Sequence, residues 1–286
     1  MNKVVVVGSL HYDIVVESSH RPVKGETVLG KKWFAKFGGK GGNQAVGCAK
    51  ADCDVFMVSC VGKDNFAPFL LEHLKQHQIN TDFVQQTDKF GSGMSVAIMD
   101  SEGDYGAVVV SGANLAIESA VLEQDSLWQD TKMLILQNEV SDEINLNAAQ
   151  QANQRHIPVC INAAPAKKLS PELIKLIDIL IVNAVEAEAM CGIAVTDLTS
   201  ALKAAQRLQQ DFPQVVVTAG GDGVAFANQQ EQGVMPAIKV KLISTLGAGD
   251  CFVGHLCASL IKGETLKSAV SYANQKAAEH VSMLAR

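Results

Sequence analysis

The stretch Ile179-Leu180-Ile181-Val182-Asn183-Ala184-Val185-Glu186-Ala187-Glu188-Ala189-Met190-Cys191 decides the fold. Its first part is a short, fully apolar run, the signature of a strand buried on both faces. Val185-Cys191 then reads as helix. The same unit recurs along the chain. Strand-like runs fall at Val4-Val7, Val55-Val61, Met133-Leu136, Val159-Ile161 and Val215-Thr218. Helix-like stretches fall at Asn65-Gln78, Asp142-Arg155, Pro171-Ile177 and Ser200-Gln210, and two longer ones close the chain at Gly249-Ile261 and Leu266-Leu284. Alternation on this scale predicts an α/β fold with a mostly parallel sheet covered on both faces.

Two regions break the pattern. Residues 9–37 show no helical period, and residues 92–112 read as strands Gly93-Met99 and Tyr105-Val110. The polar turn Asp100-Ser101-Glu102-Gly103-Asp104 joins them, as a hairpin requires. Together the two regions are expected to form a small β-sheet lid. The α/β core then comprises 1–8, 38–91 and 113–286, and the lid 9–37 and 92–112.

Composition narrows the class. Of 286 residues, 48% are hydrophobic and 19% charged, so a sizeable core is available. The formal net charge is −6 with no run of Lys or Arg, which argues against nucleic acid as a partner. No apolar run reaches the ~18 residues of a membrane span, and no cleavable leader pattern opens the chain. The chain reads as cytoplasmic. Its 7 cysteines include no C-x-x-C pair, so buried free thiols are expected rather than disulfides or structural zinc.

Four segments carry chemistry. In Gly247-Ala248-Gly249-Asp250, small residues lead straight into a helix. Backbone N–H groups converge there on an anion, and Asp250 is placed to take a proton from a hydroxyl; a helix-capping Asp fits the same segment. In Phe37-Gly38-Gly39-Lys40-Gly41-Gly42-Asn43, dense glycines allow close approach to a small polar ligand, and Asn43 both donates and accepts hydrogen bonds. Asn183 and Glu186 follow a strand end at a spacing that suits a hydrated Mg²⁺ beside phosphates, and equally a capping box. Thr218-Ala219-Gly220-Gly221-Asp222-Gly223 follows another strand as a nucleotide loop or a tight turn.

Other patterns fail. Gly25-Glu26-Thr27-Val28-Leu29-Gly30-Lys31 has P-loop spacing, but Lys32 stands where a Ser or Thr would bind Mg²⁺. His73 and His77 lie one helical turn apart without the glutamate of a metalloprotease, and read as a partly exposed helix face. Neither G-x-G-x-x-G nor G-x-S-x-G occurs.

Taken in order, these segments resemble the ribokinase (PfkB) family of sugar and nucleoside kinases. The resemblance spans nearly the whole length and is greatest to the ribokinases within the family. It is carried by Gly8-Ser9 with Asp13, Gly25-Glu26-Thr27, the Gly38–Asn43 stretch, Gln137-Asn138-Glu139, Asn162-Ala163-Ala164-Pro165-Ala166, Asn183 with Glu186, and Gly247–Asp250. It implies a three-layer α/β/α core with a β lid, and ATP-dependent phosphorylation of a sugar hydroxymethyl group. By position, Asp250 matches the catalytic base, and Gly247, Ala248 and Gly249 the anion hole. Asp13, Gly39, Lys40, Asn43 and Glu139 match sugar contacts. Asn183, Thr218, Gly220, Gly223, Gly249 and Asn274 match nucleotide contacts, and Glu186 the Mg²⁺-organising carboxylate. The resemblance also implies a homodimer paired through lid strands.

Three departures stand out. His11 occupies a sugar-contacting position where the family usually has Asn, which opens the identity of the sugar. Ser244 replaces an Asp that helps bind an activating monovalent cation, which leaves a K⁺ requirement open. The chain stops at Arg286, where the family adds a further segment with cation and adenine contacts. The leading expectation is a ribose-type sugar kinase using MgATP. The alternatives are a nucleoside kinase of the same family and a sugar- or nucleotide-binding regulator with little catalysis.

Overall fold

A computed structural model describes residues 2–101 and 105–282. The strands are β1 (Lys3–Val7), β2 (His11–Glu17), β3 (Lys32–Gly38), β4 (Asp54–Gly62), β5 (Val84–Thr87), β6 (Met94–Met99), β7 (Tyr105–Val110), β8 (Thr131–Gln137), β9 (Val159–Asn162), β10 (Ile179–Asn183), β11 (Gln214–Thr218), β12 (Gly223–Asn228) and β13 (Gln232–Pro236). The helices are α1 (Lys40–Lys50), α2 (Ala67–Gln76), α3 (Asp125–Trp128), α4 (Asp142–Gln154), α5 (Pro171–Ile174), α6 (Ala184–Cys191), α7 (Leu198–Leu208), α8 (Ala248–Leu260) and α9 (Leu266–Val281).

Among the described residues the large sheet runs β13-β12-β11-β10-β9-β8-β1-β4-β5. It is parallel from β11 through β5, and β12 and β13 join antiparallel at one edge. Alternation along each strand feeds two cores. Val5, Val7, Leu134, Leu136, Leu180 and Val182 meet α4 and α7 on one face. Val4, Val6, Met133, Ile135, Ile179 and Ile181 meet α1, α8 and α9 on the other. The apolar runs thus read without alternation because helices cover both faces. The α/β expectation holds.

The second sheet has the order β3-β2-β6-β7. It joins strands from both regions that broke the helical alternation. Residues 102–104 of the expected hairpin turn lie outside the described residues, as do 283–284 of the expected last helix. Several expected boundaries shift. The expected Asn65-Gln78 helix shortens to α2, and Pro171-Ile177 to the single turn of α5. The antiparallel pair β12–β13 follows the Gly-rich segment at 218–223. The 7 cysteines are all free, but Cys53, Cys191 and Cys251 are only half-buried.

Helix α1 starts earlier than a Gly-rich loop suggests. Its N-cap is Gly39 at φ 88°, and Gly41 and Gly42 lie inside its first turn. A side chain on Gly41 would sit 2.6 Å from the Gly8 carbonyl carbon, and one on Gly42 would sit 2.5 Å from the Phe37 ring. Helix-disfavouring glycines are retained because the helix N-terminus presses against the end of β1.

Candidate active site

The parallel strands end on polar residues. Gln137, Asn162, Asn183 and Thr218 are the last residues of β8, β9, β10 and β11, and Gly8-Ser9 follows β1. Open α/β sheets bind their ligands outside these carboxyl ends.

Asp250 is the focus. It lies in the first turn of α8, behind Gly247, which caps the helix in the left-handed conformation at φ 76°. Its carboxylate accepts bonds from Gln44 Nε2 (3.0 Å) and Asn43 Nδ2 (3.3 Å), both on α1. Only 8% of Asp250 is exposed. Burial pushes its carboxyl above the ordinary carboxylate range. Lys40 and the amide donors pull it back, while Glu139 pushes it further up. No side chain crowds Gly249, whereas the Ala248 N–H is already donated to the Thr245 carbonyl (3.2 Å). His280 Nε2 holds the preceding turn at the Leu246 carbonyl (2.8 Å). Asp250 is therefore buried, as its hydrogen bonds require, rather than a solvent-facing cap.

A second group surrounds the start of α1. Glu139 Oε2 accepts the Lys40 backbone N–H (2.9 Å) and the Ser9 hydroxyl. Gly39 touches the backbone of residues 9–11: a side chain there would meet the Ser9 carbonyl oxygen at 2.6 Å. Asp13 lies over Gly38 and accepts the Ser95 hydroxyl (2.6 Å). Burial raises the Asp13 carboxyl above its ordinary value, Ser95 and His11 lower it, and Glu139 raises it. His11, Asp13, Gly39, Lys40, Asn43, Glu139 and Asp250 thus gather around the α1 N-terminus.

A third group lines the ends of β10 to β13. Asn183 and Glu186 do form the capping box. The Asn183 N–H and side-chain amide donate to the Glu186 carboxylate (2.8 and 2.9 Å), and the Glu186 N–H donates to Asn183 Oδ1 (2.9 Å). Glu186 is nonetheless within electrostatic reach of Lys40 and Asp250, and burial raises its carboxyl. Thr218 lies opposite Asn183, and Gly220 turns the chain at φ 55°. At Gly223 a side chain would meet the Met235 carbonyl oxygen at 2.1 Å. Asn274 donates to the Pro236 carbonyl (2.9 Å), so its amide N–H₂ ties α9 to β13.

Four buried amides, Gln44, Asn114, Gln137 and Asn162, had no site role assigned from the sequence. Gln44 also donates to Asn162 Oδ1 (3.1 Å) and accepts from Gln137 Nε2 (2.9 Å), which makes an amide chain behind Asp250. Asn114 brackets the backbone of Leu10, accepting its N–H (2.9 Å) and donating to its carbonyl (3.0 Å). Gln137 and Asn162 sit in segments that carried the family resemblance, and polar residues ending apolar strands were their one local signal.

Comparisons with known proteins give the family. A family model described as pfkB family carbohydrate kinase matches residues 1–283. Mouse ribokinase is 40% identical over 258 residues, covering 88% of this chain and 80% of the relative. Ribokinase of Bacillus subtilis is 32% identical, covering 97% and 92%. The structure of Arabidopsis thaliana ribokinase complexed with ribose and ATP superposes with a TM-score of 0.90 at 26% identity, covering 99% of this chain and 93% of that one. The chain belongs to the pfkB family of carbohydrate kinases. It is an ATP-dependent phosphotransferase with an alcohol group as acceptor, of ribokinase type.

Proposed function

We propose that this kinase transfers the γ-phosphoryl group of ATP to the hydroxymethyl group of a small sugar, with Asp250 as the base. One observation carries the assignment: a buried carboxylate in the first turn of α8, held by Gln44 and Asn43, one residue after the uncrowded Gly249. Asp250 takes the proton of the attacking hydroxyl. The N–H groups at Gly247 and Gly249 stabilise the charge on the transferring group, and the Ala248 N–H joins them on release of its bond to the Thr245 carbonyl (3.2 Å). Asp13, Gly39, Lys40, Asn43 and Glu139 orient the sugar, with His11 on the same side. Asn183, Thr218, Gly220, Gly223 and Asn274 border the nucleotide. Catalysis in such a transfer is positioning plus electrostatics.

The donor set suits Mg²⁺. Among the described residues no three His, Cys, Asp or Glu side chains form a metal cage. Mg²⁺ held with phosphates needs only one or two carboxylates and water, and Glu186 offers its carboxylate beside Asp250 and Lys40. When bound, the ion supplies charge neutralisation on the phosphate oxygens. Ser244 Oγ accepts the Leu246 N–H (3.3 Å), a turn-holding role that leaves K⁺ activation to be measured.

Ribokinase relatives favour a sugar acceptor over a nucleoside. The division into a core (1–8, 38–91, 113–286) and a lid (9–37, 92–112), a cytoplasmic location and a homodimer belong to the same reading. The dimer is supported by the lid's outer strands, where Trp33, Val108, Val109 and Val110 are exposed; light scattering at a monomeric mass would refute it. The decisive experiment for the kinase reading is Asp250→Asn in a sugar-dependent ADP-release assay. Turnover should fall roughly 10²–10⁴-fold, and near-normal turnover would sink the assignment.

A further inference from the structure

The lid face of the site carries more charge than a neutral sugar uses. Asp13 is paired in register with Lys36 on β3 and with Ser95 on β6. Residues opposite one another project from the same sheet face. His11, two residues before Asp13, lies on that face as well. Asp13 is already bonded to Ser95. Lys36 differs: it is half-buried and forms no hydrogen bond or ion pair among the described residues. Burial lowers its pKa against the pull of Asp13. Close by, the buried Nε2 of His11 has no hydrogen-bond partner, and the residue is only 4% exposed. Both arrangements are costly in isolation, and an anionic oxygen relieves both.

The position of Lys36 matters. Lys36 lies on β3 opposite Asp13, before the Gly38-Gly39 turn, whereas Asn43 and Gln44, which hold Asp250, lie beyond that turn on α1. Lys36 therefore stands at the end of the site remote from the base. We propose that the preferred acceptor is an anionic sugar, whose end remote from the phosphorylated hydroxymethyl carries a carboxylate or phosphate held by Lys36 and His11. The inference rests on the kinase reading above and narrows its substrate class. Asp13 and Glu139 repel such a group from the middle of the site, which confines it to the Lys36 side.

The test is ADP release with MgATP over matched sets: neutral pentoses and hexoses, the corresponding aldonic acids, and the corresponding sugar monophosphates. One anionic set should exceed its neutral parents in kcat/KM by at least about tenfold. Lys36→Gln should lower that ratio roughly 10- to 100-fold, the span of a hydrogen bond to a charged group; Lys36→Arg should retain more of it. Damage to the fold would lower both sets and leave the ratio unmoved. The acid and phosphate arms identify the anion. Preference for a neutral sugar, or a ratio unchanged by Lys36→Gln, overturns the proposal and leaves the kinase reading standing. If no sugar is phosphorylated, calorimetric titration separates the two. Lys36-dependent binding of the acid or phosphate would support the anion site while the kinase reading falls, and absence of binding would overturn both.

Discussion

Gln44→Glu tests the site with little change in shape. In the native protein Gln44 Nε2 donates to Asp250 Oδ1 at 3.0 Å. The substitution puts a carboxylate oxygen where that donor was, in a residue with no solvent exposure. Two unit charges 3.0 Å apart at an effective dielectric near 20 repel by about 5.5 kcal/mol. The pair relieves this by sharing one proton. The base is then occupied at neutral pH, and kcat/KM should fall at least about a hundredfold. Repulsion tightens the hold on the shared proton, so the acid limb of the pH–rate profile moves upward. Activity should recover as pH rises, over a range where the native enzyme has already levelled off. Gln44→Met is the control, because it removes the donor without adding charge and should cost less. The assay is kcat/KM against pH for the three proteins. A Gln44→Glu profile that superposes on the native one, or an equal loss in Gln44→Met, would refute the reasoning.

Other outcomes follow from the same geometry. Lys40 lowers the Asp250 carboxyl while burial raises it; the base must be ionised, so Lys40→Met should shift the acid limb of kcat/KM to higher pH as well as slow turnover. Gly42→Ala places a carbon 2.5 Å from the Phe37 ring and 2.8 Å from Leu10; overpacking should cost about 1–3 kcal/mol in denaturant unfolding, and an unchanged midpoint would contradict the packing account. Cys53 is half-buried, and its thiol is lowered by Cys48 and Lys262, whereas buried Cys48 and Cys257 are raised. Among these three, Cys53 should be alkylated first, as peptide mapping after brief iodoacetamide treatment will show.

Much of this was legible locally. Strands β1, β8, β9, β10 and β11 stand out because both faces are buried and their apolar runs are uninterrupted, and in β4 only Ser59 breaks the run. Asp250 stands out because a Gly-Ala-Gly turn precedes it, and Asn183 with Glu186 because a capping box is a four-residue pattern. Strands β5, β12 and β13 were missed, β5 because Gln85 and Gln86 leave it no apolar run. In β13 alternate residues are exposed, and β12 starts within a Gly-rich segment that looks like any other loop, so the antiparallel pairing of the two has no local pattern. The glycines of α1 were read for ligand approach, yet Gly41 and Gly42 are set by contacts with Gly8 and with Phe37 and Leu10, which lie in other elements.

What the sequence by itself determined was the α/β class, the two β-rich interruptions and the segments that face the strand ends, because each rests on periodicity or turn chemistry within a few residues. What only the tertiary structure decided was how those segments meet. Gln44 and Asp250 are 206 positions apart in the chain, and Leu10 and Asn114 are 104 apart. Lys36 faces Asp13 only through the register of β2 and β3. Such contacts follow from strand order, register and helix packing, which act across the whole chain and leave no local pattern at the residues they join.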